Sequence, residues 1–255
     1  FSVIFKKKIT QFNKIISVDS DKSISQRSFI IGSISEGISV VKNALMSEDI
    51  FSTISALRKL GCRIQKVKTG EYKIYGKGLG SFYCKKNTVL NFGNSGTAAR
   101  LLGFGACSTN PDLEVRLTGD KSLSKRSMFK IIKALEQFGA EFSPANKFYF
   151  PLNLISSDMP IGINFDAGIS SQIKSAVILA GINSFGKTVV VEKIKSRDHT
   201  EKMLIHNNRA IKVKKGKKNL IEINGKESLK PINITVPGDP SSASFYACLL
   251  YTSDA

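Results

Sequence analysis

The chain has 255 residues, 42% of them hydrophobic, and 38 Lys and Arg against 20 Asp and Glu give a net charge of +18. This composition excludes wholesale disorder and supplies enough apolar material for one large domain or two ordinary ones, while no apolar run reaches the ~18 residues of a membrane span. The charge favours anionic partners of some kind, but no RNP-like aromatic motif, zinc finger or basic helix with a dimerisation seam accompanies it.

The opening "FSVIFKKKIT" lacks the apolar core and cleavage site of a secretion signal, so a cytoplasmic location is expected. A start at Phe1 rather than at Met leads to the expectation of a trimmed N-terminus. The first helix is expected near Ser23, where small and hydroxyl residues precede an apolar run, and "SVVKN" follows as a strand. "SEDIFSTISALRKLG" predicts a second helix, with Ser47 as N-cap, acidic residues in the first turn and Gly61 as the stop. Ile50, Phe51, Ile54 and Leu57 share one face of it at helical spacing. After strands at "YKIYG" and "TVLNFG", a helix starts at Ser95, and "LEVRLTG" is the next strand. A further helix is predicted from about Ser122 through "MFKIIKALEQ" to Gly139, placing Arg126 one turn inside it. "IGINF" is a strand, a helix starts near Ser170, and "TVVVEKI" returns as strand. "RDHTEKML" predicts a helix whose Asp198 and Glu201 have capping-box spacing. "IKVKK" and "LIEING" are strands about a turn at 214–218, and "VPGDPSSASFYACLL" opens a last helix that "YTSDA" continues poorly.

Helix starts near 23, 95 and 170, and near 48, 122 and 198, advance in two parallel series by about 75 residues. The pattern predicts three βαβαββ units packed as one α/β domain, helices inside and sheets around them. A fourth unit opens near Ser241 without room to finish, so the chain is expected to be the first part of a longer protein. Cys62, Cys84, Cys107 and Cys248 are widely spaced and form no C-x-x-C; with only His199 and His206 besides, buried reduced thiols are expected and no metal site.

Helix N-termini offer free N–H groups to phosphate and carboxylate, and several starts here carry added chemistry. Lys22, Ser23 and Arg27 surround the first; Asn94, Ser95, Gly96 and Thr97 open the second, where Gly96 allows close approach to the backbone. Ser170, Ser171 and Gln172 open the third, Arg126 follows "DKSLSK", and Arg197 precedes Asp198. Taken singly, Ser95 and Ser170 are ordinary caps and Lys22 and Arg27 ordinary surface cations. The repeated clustering of cation, hydroxyl and amide is what those readings leave unexplained.

These segments resemble the enolpyruvyl transferases, and among them the 3-phosphoshikimate 1-carboxyvinyltransferase (EPSP synthase) family. "DKSISQRSFIIGSISEG", "GNSGTAARLL", "LTGDKSLSKRSM", "SSQIKSAVILAG", "SRDHTEKML" and "VPGDPSSASF" follow in the family's order and spacing. The chain departs from the family pattern at Ser20 and Asp21, at Gln26 and Ser28, and at Ser122, where some members carry Arg.

The resemblance implies an inside-out α/β barrel of the enolpyruvyl transferase type, with residues 14–237 as a first domain. It assigns 1–13 and 238–255 to pieces of a second. It implies transfer of the enolpyruvyl group of phosphoenolpyruvate to the 5-hydroxyl of shikimate 3-phosphate, without metal or organic cofactor, by a monomer binding neither nucleic acid nor membrane. Carried over position by position, Lys22, Ser23, Arg27, Ser170, Ser171, Gln172 and Arg197 match the shikimate 3-phosphate side. Lys22, Asn94, Gly96, Arg126 and Gln172 match the phosphoenolpyruvate side, with Lys22, between the two anions, the expected catalytic residue. The family's Asp general base, a Glu and further cations belong to the second domain, so this chain alone is expected to be inactive. Three other readings are a UDP-N-acetylglucosamine enolpyruvyl transferase, a basic nucleic-acid-binding module on a related fold, and a catalytically dead remnant.

Overall fold

A computed structural model of the chain describes residues 15–207 and 209–253. Its first unit comprises α1 (Lys22–Ile34), β1 (Glu36–Lys42), α2 (Glu48–Lys59), β2 (Arg63–Lys68) and β3 (Glu71–Lys77). In the second, β4 (Thr88–Asn91) leads into α3 (Gly96–Ala98), which runs on as a π-helical segment, Ala99–Ala106. β5 (Glu114–Thr118), α4 (Phe129–Leu135), β6 (Glu141–Ser143) and β7 (Leu152–Ile155) complete it. The third holds β8 (Asn164–Asp166), α5 (Ser171–Ile182), β9 (Lys187–Glu192), α6 (His199–Leu204), β10 (Ile211–Lys214) and β11 (Asn219–Asn224). β12 (Asn233–Thr235) and α7 (Pro240–Ser253) follow.

Each unit makes one four-stranded sheet, with orders β12-β1-β3-β2, β4-β5-β7-β6 and β8-β9-β11-β10. In each the first two strands pair in parallel and the rest antiparallel. The place that β4 and β8 fill in their own sheets is filled in the first sheet by β12, with Val40 opposite Asn233 and Lys42 opposite Thr235. The expected unit is therefore present three times, but the first is finished by a strand from beyond the third. The piece of a second domain expected at residues 1–13 lies outside the described residues.

The helices that open the units are largely buried: every residue from Ser25 to Ile34 of α1 and from Lys174 to Ile182 of α5 is buried, polar side chains included. Phe29, Ile30, Ile31, Leu101, Leu102, Phe104, Val177 and Ile178 are fully buried, each contributing about 1.5–3 kcal/mol by removal from water. Gly105 permits the central contact: a Cβ there would stand 2.9 Å from the Ala176 Cα, so any side chain would push α5 away. The strands alternate, as in β5, where Val115 and Leu117 face inward and Arg116 outward. Much of the basic surplus decorates such outer faces, including Lys66, Lys73 and Lys212.

Five local expectations need correction. The helix expected over 122–139 is broken: a 3-10 turn spans Leu123–Lys125, Arg126 is extended, and α4 begins only at Phe129. The cause is tertiary, because the Met128 N–H is taken by the Phe148 carbonyl at 2.7 Å. Asp198 sits at the start of α6 but its side chain caps nothing; its carboxylate pairs with Lys202 at 3.0 Å, and Glu201 turns inward. Phe51 is 47% exposed, the inner face of α2 being filled by Ile50, Thr53, Ile54 and Leu57. Among the thiols Cys107 is buried, Cys62 and Cys84 are half-buried and Cys248 is exposed. Ser47 holds the N-cap position of α2 without a side-chain hydrogen bond, and the last helix runs through "YTS" to Ser253.

Candidate active site

Asp21 caps α1 by accepting from the Ile24 N–H at 2.8 Å, Ser95 caps α3 through Ala98 at 3.1 Å, and Ser170 caps α5 through Ile173 at 3.4 Å. The capping reading of the two serines therefore holds, yet it is not their whole environment. Buried Gln26 of α1 donates to the Ser95 hydroxyl, and also to Thr53 of α2 at 3.3 Å. Gln172 of α5 donates to Thr97 at 3.0 Å and accepts from Arg100 at 2.9 Å. Arg27 of α1 donates to Ser175 of α5 at 3.1 Å. The three helix starts are thus tied pairwise into a closed ring, α1 to α3, α3 to α5 and α5 to α1.

Arg27 is the most constrained cation of the ring. Its Nε donates to the Thr200 hydroxyl at 2.8 Å and one Nη to the Ser23 carbonyl at 3.1 Å. Burial pushes its pKa down to about 10, opposed by the nearby negative charges of Glu201 and Asp21. Lys22, five residues earlier, is instead half-exposed and rests on Asp49 of α2 at 2.8 Å. Ser170, Ser171 and Gln172, at the start of α5, are half-buried, and Arg197 is exposed. Arg197 lies close enough to Arg27 to lower its pKa further.

A second cluster surrounds Gly96. Arg126 donates to Asn94 at 2.7 Å. A Cβ built on Gly96 would stand 2.7 Å from an Arg100 Nη and 3.0 Å from an Arg126 Nη, so both guanidiniums converge over this glycine. Burial, and then the like charge of Arg126, lower the Arg100 pKa. Arg126 reaches this place because the helix is broken at its position, leaving its backbone extended.

The structure ties Ser23 to Arg27, with Arg197 near enough to act on its charge, and Asn94 to Arg126 beside Gly96, while Gln172, which opens α5 with Ser170 and Ser171, reaches Arg100, and Lys22 pairs with Asp49. It adds Arg100, Gln26, Ser175 and Thr200, which the sequence reading did not single out as site residues. Arg100 had a usable signal, since four residues after Gly96 is one helical turn; the partners of the others lie far away in sequence. A groove of about 510 Å³ is lined by Ile24, His199, Met203, Ile232 and Pro237 among others. Among the described residues no group of three or more His, Cys, Asp or Glu could hold a metal, and no helix is long and apolar enough to cross a membrane.

Three sheets wrapped around buried helices, whose starts meet at one cation-bearing face, define the inside-out α/β class of the enolpyruvyl transferases. A family model for EPSP synthase (3-phosphoshikimate 1-carboxyvinyltransferase) matches residues 6–250. The chain belongs to the EPSP synthase family. It is 39% identical over 233 residues to the 3-phosphoshikimate 1-carboxyvinyltransferase of Ruegeria sp. (strain TM1040), covering 91% of this chain and 51% of that protein. It is 40% identical over 235 residues to that of Novosphingobium aromaticivorans, covering 91% and 52%. The solved EPSP synthase of Acinetobacter baumannii superposes with a TM-score of 0.80 at 38% identity, over 91% of this chain and 51% of that one. The chain spans about half the length of the curated relatives it matches.

Proposed function

We propose that this chain is the anion-gripping half of an enzyme that transfers the enolpyruvyl group of phosphoenolpyruvate to the 5-hydroxyl of shikimate 3-phosphate, releasing phosphate. The observation that carries the reading is the closed ring of helix starts, which holds Arg27 against Ser175 of α5 and Arg100 against Gln172 at its start. Both substrates are multiply anionic, and shikimate 3-phosphate and phosphoenolpyruvate must be held together while charge redistributes through a tetrahedral adduct. Shikimate 3-phosphate is assigned to Ser23, Arg27, Ser170, Ser171, Gln172 and Arg197. Phosphoenolpyruvate is assigned to Asn94, Gly96, Arg126 and Gln172, with Arg100 added. Lys22, which pairs with Asp49, is assigned to both anions and to the catalytic role.

Residues 14–237 act in this proposal as the first of two domains, the second supplying the general base and the cover that excludes water. The complete protein is a cytoplasmic monomer with no nucleic-acid partner. The test has two parts. Calorimetry should detect shikimate 3-phosphate binding to the 255-residue chain, which should release no phosphate by itself. Joined to the rest of its reading frame it should turn over, and Lys22→Ala should abolish most of that activity. Phosphate release by the 255-residue chain, or near-normal turnover by the Lys22→Ala variant, defeats the assignment concerned.

A further inference from the structure

One buried charge cluster joins α5, β9 and α6. Lys174 of α5 is fully buried, with its Nζ 2.6 Å from Glu192 at the end of β9 and 2.6 Å from Glu201 of α6. Three buried ions are a poor source of stability, since apolar residues of the same volume commonly do as well or better. Their presence points to a task other than stability.

The covalent neighbours supply it. Lys174 is followed by Ser175, and Glu201 is preceded by Thr200. In each adjacent pair one residue belongs to the ion cluster and the other holds Arg27, through Ser175 at 3.1 Å and Thr200 at 2.8 Å. The two hydroxyls are also bonded to each other at 2.8 Å. Drawing Glu201 onto Lys174 therefore sets the spacing of α5 and α6 at the level of the Arg27 guanidinium. On the other branch, Glu192 accepts from the Ser196 N–H at 3.0 Å and its hydroxyl at 2.8 Å, while Asn219 holds the second carboxylate oxygen at 2.8 Å. Ser196 immediately precedes Arg197, so the same lysine anchors the turn that presents the second cation.

We infer that Lys174 is a positioning residue: by pinning Glu192 and Glu201 it aims Arg27 and Arg197 at a single anion. The inference rests on the assignment of those two arginines to shikimate 3-phosphate. Glu201 contributes charge as well as geometry, because it opposes the loss of the Arg27 proton that burial favours.

The test uses the 255-residue chain and reads the Arg27 Nε–H resonance by NMR, shikimate 3-phosphate affinity by calorimetry, and thermal unfolding. Lys174→Met alone leaves two buried carboxylates uncompensated and is a poor probe. The triple variant Lys174→Met, Glu192→Gln, Glu201→Gln neutralises the cluster with side chains of similar size. Glu201→Gln alone is the milder version. Both should unfold in one transition, yet show faster hydrogen exchange at the Arg27 Nε–H, with affinity reduced at least tenfold in the triple variant. Unchanged Arg27 exchange in either folded variant overturns the inference, whatever the affinity does. If the variants loosen Arg27 but the unmodified chain ignores shikimate 3-phosphate, the positioning role stands and the substrate assignment fails.

Discussion

The two guanidinium clusters on this face are built on opposite plans. Arg27 is buried, with three of its donors already committed to Ser23, Ser175 and Thr200. Arg100 and Arg126 converge over Gly96, each on a single neutral side-chain oxygen of Gln172 or Asn94 shorter than 3 Å. At Arg27 the favourable term is geometry, since a guanidinium held in place loses little freedom when an anion arrives. Between Arg100 and Arg126 it is charge, since an anion relieves the repulsion of two cations and its effect is screened by salt. A single face thus combines a rigid grip with an electrostatic one.

The largest expected effect comes from removing the rigid grip. Arg27→Met should weaken shikimate 3-phosphate binding on the order of 100-fold, the value of roughly 3 kcal/mol in charge-assisted hydrogen bonds. The fold should survive, because Thr200 and Ser175 keep each other at 2.8 Å. Calorimetry beside a thermal melt checks both, and a loss of only a few-fold would erase the contrast.

Gly96→Ala is the complementary break. Its Cβ would force both arginine tips to move, so phosphoenolpyruvate should stabilise the variant against heat less than it does the native chain, with affinity down on the order of tenfold. Shikimate 3-phosphate affinity should fall much less, since Gln172, the partner of Arg100, is only one of the residues assigned to it. Equal losses for both ligands would mean that the clusters are one site rather than two.

The smallest effect is a change in acid stability. Burial works to raise the Glu192 carboxyl, but hydrogen bonds from Lys174, Asn219 and Ser196 outweigh it and hold it at about 2. A carboxyl depressed in the folded state contributes stability that is present above its ordinary pKa of 4.5 and is lost as pH falls from there toward 2. Glu201, raised by burial, acts in the opposite sense and partly offsets this. Glu192→Gln should therefore lower stability at neutral pH and flatten the acid limb of an unfolding-versus-pH curve. A limb as steep as that of the native chain would show that Glu192 is not its source.

What the sequence made legible was whatever is local. The starts of α1, α3 and α5 are readable because small and hydroxyl residues precede an apolar run, and the layering of helices inside sheets follows from the recurrence of those starts about every 75 residues. The spacing puts Arg126 one turn inside a helix, whereas its backbone is extended, because the Met128–Phe148 hydrogen bond that breaks the helix is tertiary. Phe51 was assigned to an inner face that Thr53 in fact occupies. Lys174 looks in sequence like any helical lysine, and only the arrival of Glu192 and Glu201 from later elements marks it as buried. Thr200 and Ser175 owe their role to Arg27, more than a hundred positions away. β12 is three residues long, too short for any periodicity to show.

That short strand has a consequence for how the chain is made. The second and third sheets can close from contiguous stretches as they leave the ribosome. The first cannot: the bond from the Ile232 N–H to Ser39 that leads into its closure joins residues 193 positions apart. Until Asn233–Thr235 emerges, β1 presents a bare edge, the kind of surface on which nascent chains mispair. Nucleation should therefore pass through the later units and end at the earliest one, and a chain halted before Asn233 should aggregate through β1 rather than merely lack a strand.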